Sequence, residues 1–289
     1  MEIEKAGGIG LCSGVKRAIK LLEEAASKYG EIETLGPVAH NRQLVQGLAR
    51  IGIKPVDDLR QIQGKILAIT AHGVSPMVLS EIKTHHIHII DTTCPIVRKA
   101  QNTTKKLAEA SFYVIIFGEA GHPEVKGLLG WAKSRSIAAL DVKQIATFSL
   151  LLQEKKESDL PRLGIISQTT QSQSAFVEFI TQLQLAPLPE IRELRIINTL
   201  CRTTRKRREA AVKLARESQL MIVVGGRDSA NTNRLVEACS PIVETHLVEG
   251  ADEVENSWLI DKHHIGITAG TSTPHEVTEE VVTKLKSSV

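Results

Sequence analysis

The sequence predicts an α/β protein of three similar small parallel-sheet lobes, arranged with pseudo-threefold symmetry around one central site. Two repeating patterns lead there. Ile89-Ile90-Asp91-Thr92-Thr93-Cys94 and Ile196-Ile197-Asn198-Thr199-Leu200-Cys201 each run from an apolar strand through a Thr-containing turn to a thiol. Lys106-Leu107-Ala108 and Lys213-Leu214-Ala215 then recur 12 to 14 residues past their cysteines. A third copy opens the chain as Gly10-Leu11-Cys12-Ser13-Gly14-Val15-Lys16-Arg17, with Val15-Lys16-Arg17 at the offset of Val97-Arg98-Lys99. The second pattern is that His40, His122 and Ser229 each lie 28 residues after one of the three cysteines.

The elements follow in chain order. Lys16 to Lys28 reads as a helix, with Ala18, Leu21, Leu22, Ala25 and Ala26 on one face and Gly30 as its stop. Asn102 to Ala110 and Thr204 to Glu217 are its counterparts in the later copies. Further helices are expected over Gln43 to Arg50, Pro76 to Thr84, Gln171 to Leu183 and Pro274 to Lys286. Pro76 and Pro274 suit helix starts, where a missing N–H costs nothing. Strands are read from the apolar runs Ile32 to Val38, Tyr113 to Phe117 and Met221 to Val224, which end at His40, His122 and Ser229. One more strand per copy ends at His72, at Thr169-Thr170 and at Ser272. Leu150 to Asp159 is charged and without clear period, and reads as a surface helix or loop. Lobe boundaries are expected at 14–94, 95–197 and 198–289, with residues 1–13 packing on the third lobe to close the ring. Parallel sheets bind ligands beyond the carboxyl ends of their strands, where all these polar residues fall.

Composition narrows the function classes. Aromatic residues make up 3% of the 289, too few for a base-stacking surface, so single-strand nucleic-acid binding is disfavoured. A net charge of +3 argues for neither nucleic acid nor membrane. The basic run Arg202-Thr203-Thr204-Arg205-Lys206-Arg207-Arg208 reads as the solvated face of a helix, with docking of an acidic partner protein as the alternative. No apolar stretch reaches membrane-spanning length and no signal peptide is visible, which makes a cytoplasmic location the expectation. Four cysteines in a chain this long do not form a disulfide framework.

Three equivalent thiols restrict the metal chemistry. Structural zinc takes four ligands, usually in local pairs that this chain lacks. Three thiolates alone would make zinc a poor Lewis acid. A [4Fe–4S] cluster held by three cysteines leaves one iron without a protein ligand and open to substrate. Buried, inert cysteines are the other reading of the spacing. His40, His72 and His122 at strand ends suit anion binding better than metal binding if thiols already hold a cluster. Thr169, Ser229, Asn231 and Ser272 extend the set of neutral donors. Glu124, two residues from His122, is the one carboxylate of the constellation, read as lying at the mouth of the cavity. A partly dry site would keep it protonated as a proton donor, whereas a plain helix N-terminal role is the alternative. Cys239 lies outside the repeat and reads as structural. Asp91 reads as a cap on the turn before Cys94.

Nine motifs in order cover nearly the whole chain: Gly10-Leu11-Cys12-Ser13-Gly14-Val15, Leu35-Gly36-Pro37-Val38-Ala39-His40-Asn41, Ala71-His72-Gly73-Val74, Asp91-Thr92-Thr93-Cys94-Pro95, Gly121-His122-Pro123-Glu124-Val125-Lys126-Gly127, Ser167-Gln168-Thr169-Thr170, Asn198-Thr199-Leu200-Cys201, Ser229-Ala230-Asn231-Thr232 and Thr268-Ala269-Gly270-Thr271-Ser272. Together they resemble the 4-hydroxy-3-methylbut-2-enyl diphosphate reductases, which close the methylerythritol phosphate route to isoprenoids. The resemblance implies that Cys12, Cys94 and Cys201 hold a [4Fe–4S] cluster. It implies diphosphate binding by His40, His72, His122, Ser229, Asn231 and Ser272, proton relay by Glu124, and positioning of the substrate hydroxyl by Thr169. The implied reaction removes an allylic hydroxyl as water with two electrons and two protons, giving isopentenyl and dimethylallyl diphosphate. Departures are Ala230 for a second serine, Ala100-Gln101 for Val-His, and Arg208 for Gln. A ferredoxin- or flavodoxin-type electron donor is the expected partner. The competing readings are an iron–sulfur sensor of a phosphorylated metabolite, which needs no proton relay, and a reductive dehydratase of another phosphorylated allylic alcohol.

Overall fold

The computed structural model describes residues 1–85, 87–145, 161–186 and 190–288. Among them, twelve strands form three four-stranded parallel sheets. The first sheet has the order β1 (Glu2–Lys5), β12 (His264–Ala269), β10 (Leu220–Val224), β11 (Thr245–Val248). The second runs β3 (Ile53–Val56), β2 (Ile32–Leu35), β4 (Ile66–Ile69), β5 (His88–Asp91), and the third β7 (Ser136–Ala139), β6 (Phe112–Phe117), β8 (Arg162–Ser167), β9 (Glu193–Ile196). This bears out the predicted α/β class and its three small parallel sheets. Packing divides the chain into two units, Met1–Thr70 with Arg202–Val289, and Ala71–Cys201.

The central strands β4, β6 and β10 are continuous apolar runs, as sheets covered on both faces require, whereas β2 also carries Glu33 and Thr34. Leu-Met-Ile-Val-Val of β10 is buried at every residue, and Phe-Tyr-Val-Ile-Ile-Phe of β6 at all but Tyr113. Edge strands are shorter and more polar. β3 carries Pro55, which cannot donate to a ladder and is tolerated at an edge. Neither β3, β7 nor β11 is among the strands expected from the sequence, because four residues of mixed polarity carry too little pattern.

Nine helices lie among the described residues: α1 (Ser13–Tyr29), α2 (Arg42–Arg50), α3 (Pro76–Thr84), α4 (Pro95–Glu109), α5 (Pro123–Ala132), α6 (Gln173–Leu185), α7 (Arg202–Glu217), α8 (Ala230–Cys239) and α9 (His275–Ser287). The amphipathic spacing of α1 buries Ala18, Leu22 and Ala25, and Gly30 ends it at φ 84°. Full burial of a side chain such as Leu22 contributes roughly 1.5–3 kcal/mol. α1, α4 and α7 start three, seven and two residues earlier than periodicity placed them. The reason is local: each begins at the residue directly after a cysteine, and Cys12 and Cys94 are the N-caps of α1 and α4. The segment Leu150 to Asp159 lies outside the described residues. No described helix is long and apolar enough to cross a membrane.

Candidate functional site

Each cysteine is fixed by the same backbone bond. The amide of Cys12 donates to the carbonyl of Thr271 (3.0 Å), that of Cys94 to Ala71 (3.0 Å), and that of Cys201 to Thr169 (2.8 Å). Each acceptor sits in the loop that leaves β12, β4 or β8. A side-chain turn shapes two of the approaches. Asp91 Oδ1 accepts from Thr93 N (3.0 Å) and Asn198 Oδ1 from Leu200 N (2.9 Å), so Asp91 caps its turn as expected. All three thiols are half-buried and free of disulfides. Cys12 Sγ accepts from Val15 N at 3.5 Å, the bond a helix N-terminus offers a thiolate. Cys94 and Cys201 likewise sit directly before α4 and α7, and thiols of this kind are soft donors whose chemistry suits iron–sulfur ligation. Cys239 is different: it is buried among Leu235, Met221 and Val223, and burial pushes its thiol up to about 11. That environment disfavours the thiolate a metal requires.

The second ring of residues also sits at helix starts. His122 caps α5, its Nδ1 accepting from Glu124 N (3.1 Å). In the neutral ring this leaves the proton on Nε2, which makes His122 a donor toward an anion. Ser229 caps α8, Oγ accepting from Thr232 N (3.3 Å), and keeps its own O–H as a donor. The 28-residue offset is one short in the first copy: Asn41, not His40, caps α2, accepting from Leu44 N (2.8 Å). His40 is held instead by its backbone. A Cβ on Gly226 would lie 2.1 Å from the His40 carbonyl oxygen, so only glycine permits that approach. Burial lowers the His40 pKa below its ordinary value, with the charge of Asp228 acting weakly against it. His40 is therefore a neutral donor near pH 7.

In the second unit the His72 and His122 rings meet edge to face, with centroids 5.5 Å apart. The His72 loop is supported by residues that sequence reading did not assign. Gln101 Nε2 and Trp131 Nε1 donate to the Val74 carbonyl (3.4 and 3.0 Å), and Gly73, at φ 67°, leaves no room for a Cβ against Gln101. In the first unit, Asn231 Nδ2 and Ser272 Oγ are buried without a hydrogen-bond partner among the described residues. Buried donors are seldom left so, and both belong to the set expected to bind diphosphate.

Glu124 is not at a cavity mouth. It is 2% exposed, and its carboxylate is gripped by one residue: Thr169 N donates to Oε1 (2.7 Å) and Thr169 Oγ1 to Oε2 (2.8 Å). The sequence places Glu124 beside His122 but cannot show that β8 ends directly above its side chain. Burial raises its pKa to about 7, with the two Thr169 bonds acting in the opposite direction. Thr169 is therefore a junction. Its N–H and hydroxyl hold Glu124 while its carbonyl holds the amide of Cys201. The raised pKa has a thermodynamic consequence. The folded state binds this proton more tightly than the unfolded chain, so the stabilisation is complete below about pH 4.5 and is lost as pH rises to about 7. Its size is on the order of 3 kcal/mol. Urea melts at pH 5 and pH 8 should differ by less in Glu124→Gln than in the native chain; an unchanged difference would contradict the burial argument.

The basic run holds a further surprise. Arg202 and Lys206 are exposed, but Arg207 is 4% exposed and points into the first unit. Its Nη1 donates to the carbonyls of Ala269 (3.0 Å) and Gly270 (2.8 Å), and its Nη2 to that of Gly10 (2.7 Å). The expectation of a wholly solvated face is thus corrected for this residue: the helix turns one arginine of the run inward, where backbone carbonyls replace water.

A family model described as LytB protein matches residues 3–286. The chain belongs to the LytB family. A 4-hydroxy-3-methylbut-2-enyl diphosphate reductase of Dehalococcoides mccartyi (strain CBDB1) is 41% identical over 286 residues, covering 99% of this chain and 98% of the relative. The reductase of the same name from Geobacter metallireducens is 36% identical over 287 residues, covering 99% and 97%. Among solved structures, an (E)-4-hydroxy-3-methyl-but-2-enyl diphosphate reductase, the terminal enzyme of the non-mevalonate pathway, is 32% identical with a TM-score of 0.70 over 99% of this chain and all of that one. An E-1-hydroxy-2-methyl-but-2-enyl-4-diphosphate reductase from Plasmodium falciparum is 26% identical with a TM-score of 0.88, over 99% and 88%. These findings bear out the resemblance drawn from the nine motifs.

Proposed function

We propose that this LytB-family chain is a 4-hydroxy-3-methylbut-2-enyl diphosphate reductase, in which Glu124 and Thr169 manage the protons and Cys12, Cys94 and Cys201 hold a [4Fe–4S] cluster. The observation that carries the reading is the junction at Thr169, which joins a carboxyl poised near pH 7 to the turn of a cluster cysteine. A sensor would need no such relay. When bound, a cluster of this kind supplies electrons one at a time and offers one iron without a protein ligand.

Beyond holding the cluster, the chain's own residues have two tasks. His40, His72, His122, Ser229, Asn231 and Ser272 take the diphosphate through side-chain N–H and O–H donors. The buried amide of Asn231 and hydroxyl of Ser272 gain in the substrate the acceptors they otherwise lack. Glu124 then moves the proton. As the C–O bond breaks, two electrons enter, the departing oxygen takes one proton to leave as water, and the allylic carbon takes another. Thr169 Oγ1, 2.8 Å from Glu124 Oε2, is the hydroxyl through which a fully buried carboxyl can reach the substrate.

The electrons come from outside the chain. The outer face of α7 carries exposed Arg202, Lys206, Lys213 and Arg216 directly after Cys201, which supports an acidic ferredoxin- or flavodoxin-type donor. The soluble interior of a cell, the cytoplasm, is the matching location.

Turnover of the diphosphate by anaerobically reconstituted protein, with a chemical reductant, tests the reading. Active turnover with iron-loaded protein is expected, and a loaded protein that binds but never converts the substrate would favour a sensor. The histidine assignment has its own check. His122→Asn should raise KM roughly tenfold or more while bound iron stays constant. Loss of iron with unchanged KM would make His122 a metal ligand instead.

A further inference from the structure

The three sheets are topological copies with one difference. In each, an edge strand leads into a cysteine turn: β1 to Cys12, β5 to Cys94, β9 to Cys201. β5 is reached from its neighbour β4 through α3, and β9 from β8 through α6. Such covalent crossovers hold a parallel edge strand in place. β1 has none. It pairs with β12 in the register Glu2 to His264, from the opposite end of the chain order, so no helix leads from β12 into it. Its path to the cysteine is also longer. Six residues, Ala6 to Leu11, separate β1 from Cys12, against two between β5 and Cys94 and four between β9 and Cys201. That path contains Gly8 and Gly10, both at positive φ (87° and 91°). An edge strand without a crossover, followed by a glycine-rich arm, has more freedom to lose on folding than its two counterparts.

The compensating contact lies in the helix above it. The helix after each cysteine packs on the next sheet: α1 on β2, α4 on β6 and α7 on β12. Six residues after each cysteine, that helix turns a buried side chain inward. It is Ala18 in α1, Ala100 in α4 and Arg207 in α7. The repeat is broken at this position only in the helix that covers the sheet without a crossover. There the guanidinium bridges Gly10, on the Cys12 arm, to Ala269 and Gly270, at the end of β12. Next in the loop that leaves β12 come Thr271, whose carbonyl holds the Cys12 amide, and Ser272.

We infer that Arg207 is a positioning residue. It stands in for the missing crossover, setting the Cys12 thiol and the Ser272 hydroxyl relative to one another. The fork of the guanidinium is what the task needs, because two nitrogens must reach carbonyls on two separate segments; a lysine ammonium is a single point. The inference uses the proposed ligand roles only for its consequence. The tie itself is read from the chain alone.

Amide exchange, followed by mass spectrometry on the chain without cluster or substrate, tests the tie. In Arg207→Met, exchange across residues 6–12 and 269–273 should accelerate roughly tenfold or more, while β10 keeps its protection. Arg207→Lys should restore less than half of that loss, and it serves as the test variant if Arg207→Met does not fold. Joining residue 288 to residue 1 through a short flexible linker supplies the absent crossover. In the joined chain, Arg207→Met should regain most of its protection, and its iron retention after anaerobic reconstitution should recover in parallel. The inference is overturned if residues 6–12 exchange at the native rate in the variants. It is also overturned if β10 loses protection to the same degree, or if the joined chain regains nothing. Failure of the proposed activity would leave the exchange result standing, and the reverse holds equally.

Discussion

Glu124→Gln is expected to keep its cluster and its affinity for the diphosphate, and to lose turnover by a factor of ~10² or more. The substitution preserves size, and the amide oxygen can still accept from Thr169 N, which now holds the carboxylate at 2.7 Å. What it removes is the proton. No other carboxylate among the site residues has the required setting: Asp91 is committed to the Thr93 amide and pairs with Arg98. His122 uses Nδ1 to cap its helix. The pH profile should change with the rate. In the proposed relay protonated Glu124 is the donor, and with its pKa at about 7 native turnover should fall above neutrality as the carboxyl ionises. That limb should vanish from the residual activity of Glu124→Gln. Near-normal turnover would falsify the relay and leave bound water or the substrate's own diphosphate as the proton source.

The second large effect concerns the thiols. Replacing any one of Cys12, Cys94 or Cys201 by Ser should strip most of the iron, from about four per chain after anaerobic reconstitution, and abolish turnover. The three positions are equivalent in their backbone bonds and in their place before a helix, so the three variants should behave alike. Cys239→Ser is the internal control. Its sulfur is fully buried in the packing of α8 against β10, away from the helix starts. It should keep its iron and lose about 1–3 kcal/mol of stability, because a hydroxyl would replace a thiol in an apolar setting. Full iron retention in any of the first three variants, or loss of iron in Cys239→Ser, would remove the cluster assignment.

Much of this was legible in the residues themselves. Apolar runs and period-3.6 patterns, repeated at fixed offsets from three cysteines, define the α/β class and the polar residues at strand ends. Those offsets are set by local geometry: a strand, a turn and a helix of given length return the chain to the same height. The same locality explains why Cys12, Cys94 and Cys201 could be singled out without coordinates. Family motifs added the chemistry, since a bare count of thiols leaves inert cysteine open.

What sequence could not fix is which way a side chain points when its neighbours look alike. Arg207 sits in a run where all seven positions are Arg, Lys or Thr, so no polarity contrast marks its inward face. Its partners, Gly10 and Ala269, are backbone carbonyls far away in the chain, and carbonyls carry no sequence signature. Glu124 was legible as the one carboxylate beside His122, but its burial under Thr169 depends on β8 and α5 meeting across 45 residues. The sequence by itself determined the repeat, the thiols and the donors. Tertiary structure decided which of them are buried and paired. Burial and pairing are sums over contacts between segments distant in the chain, and those contacts raise the Glu124 pKa and hold the Cys12 arm without a crossover.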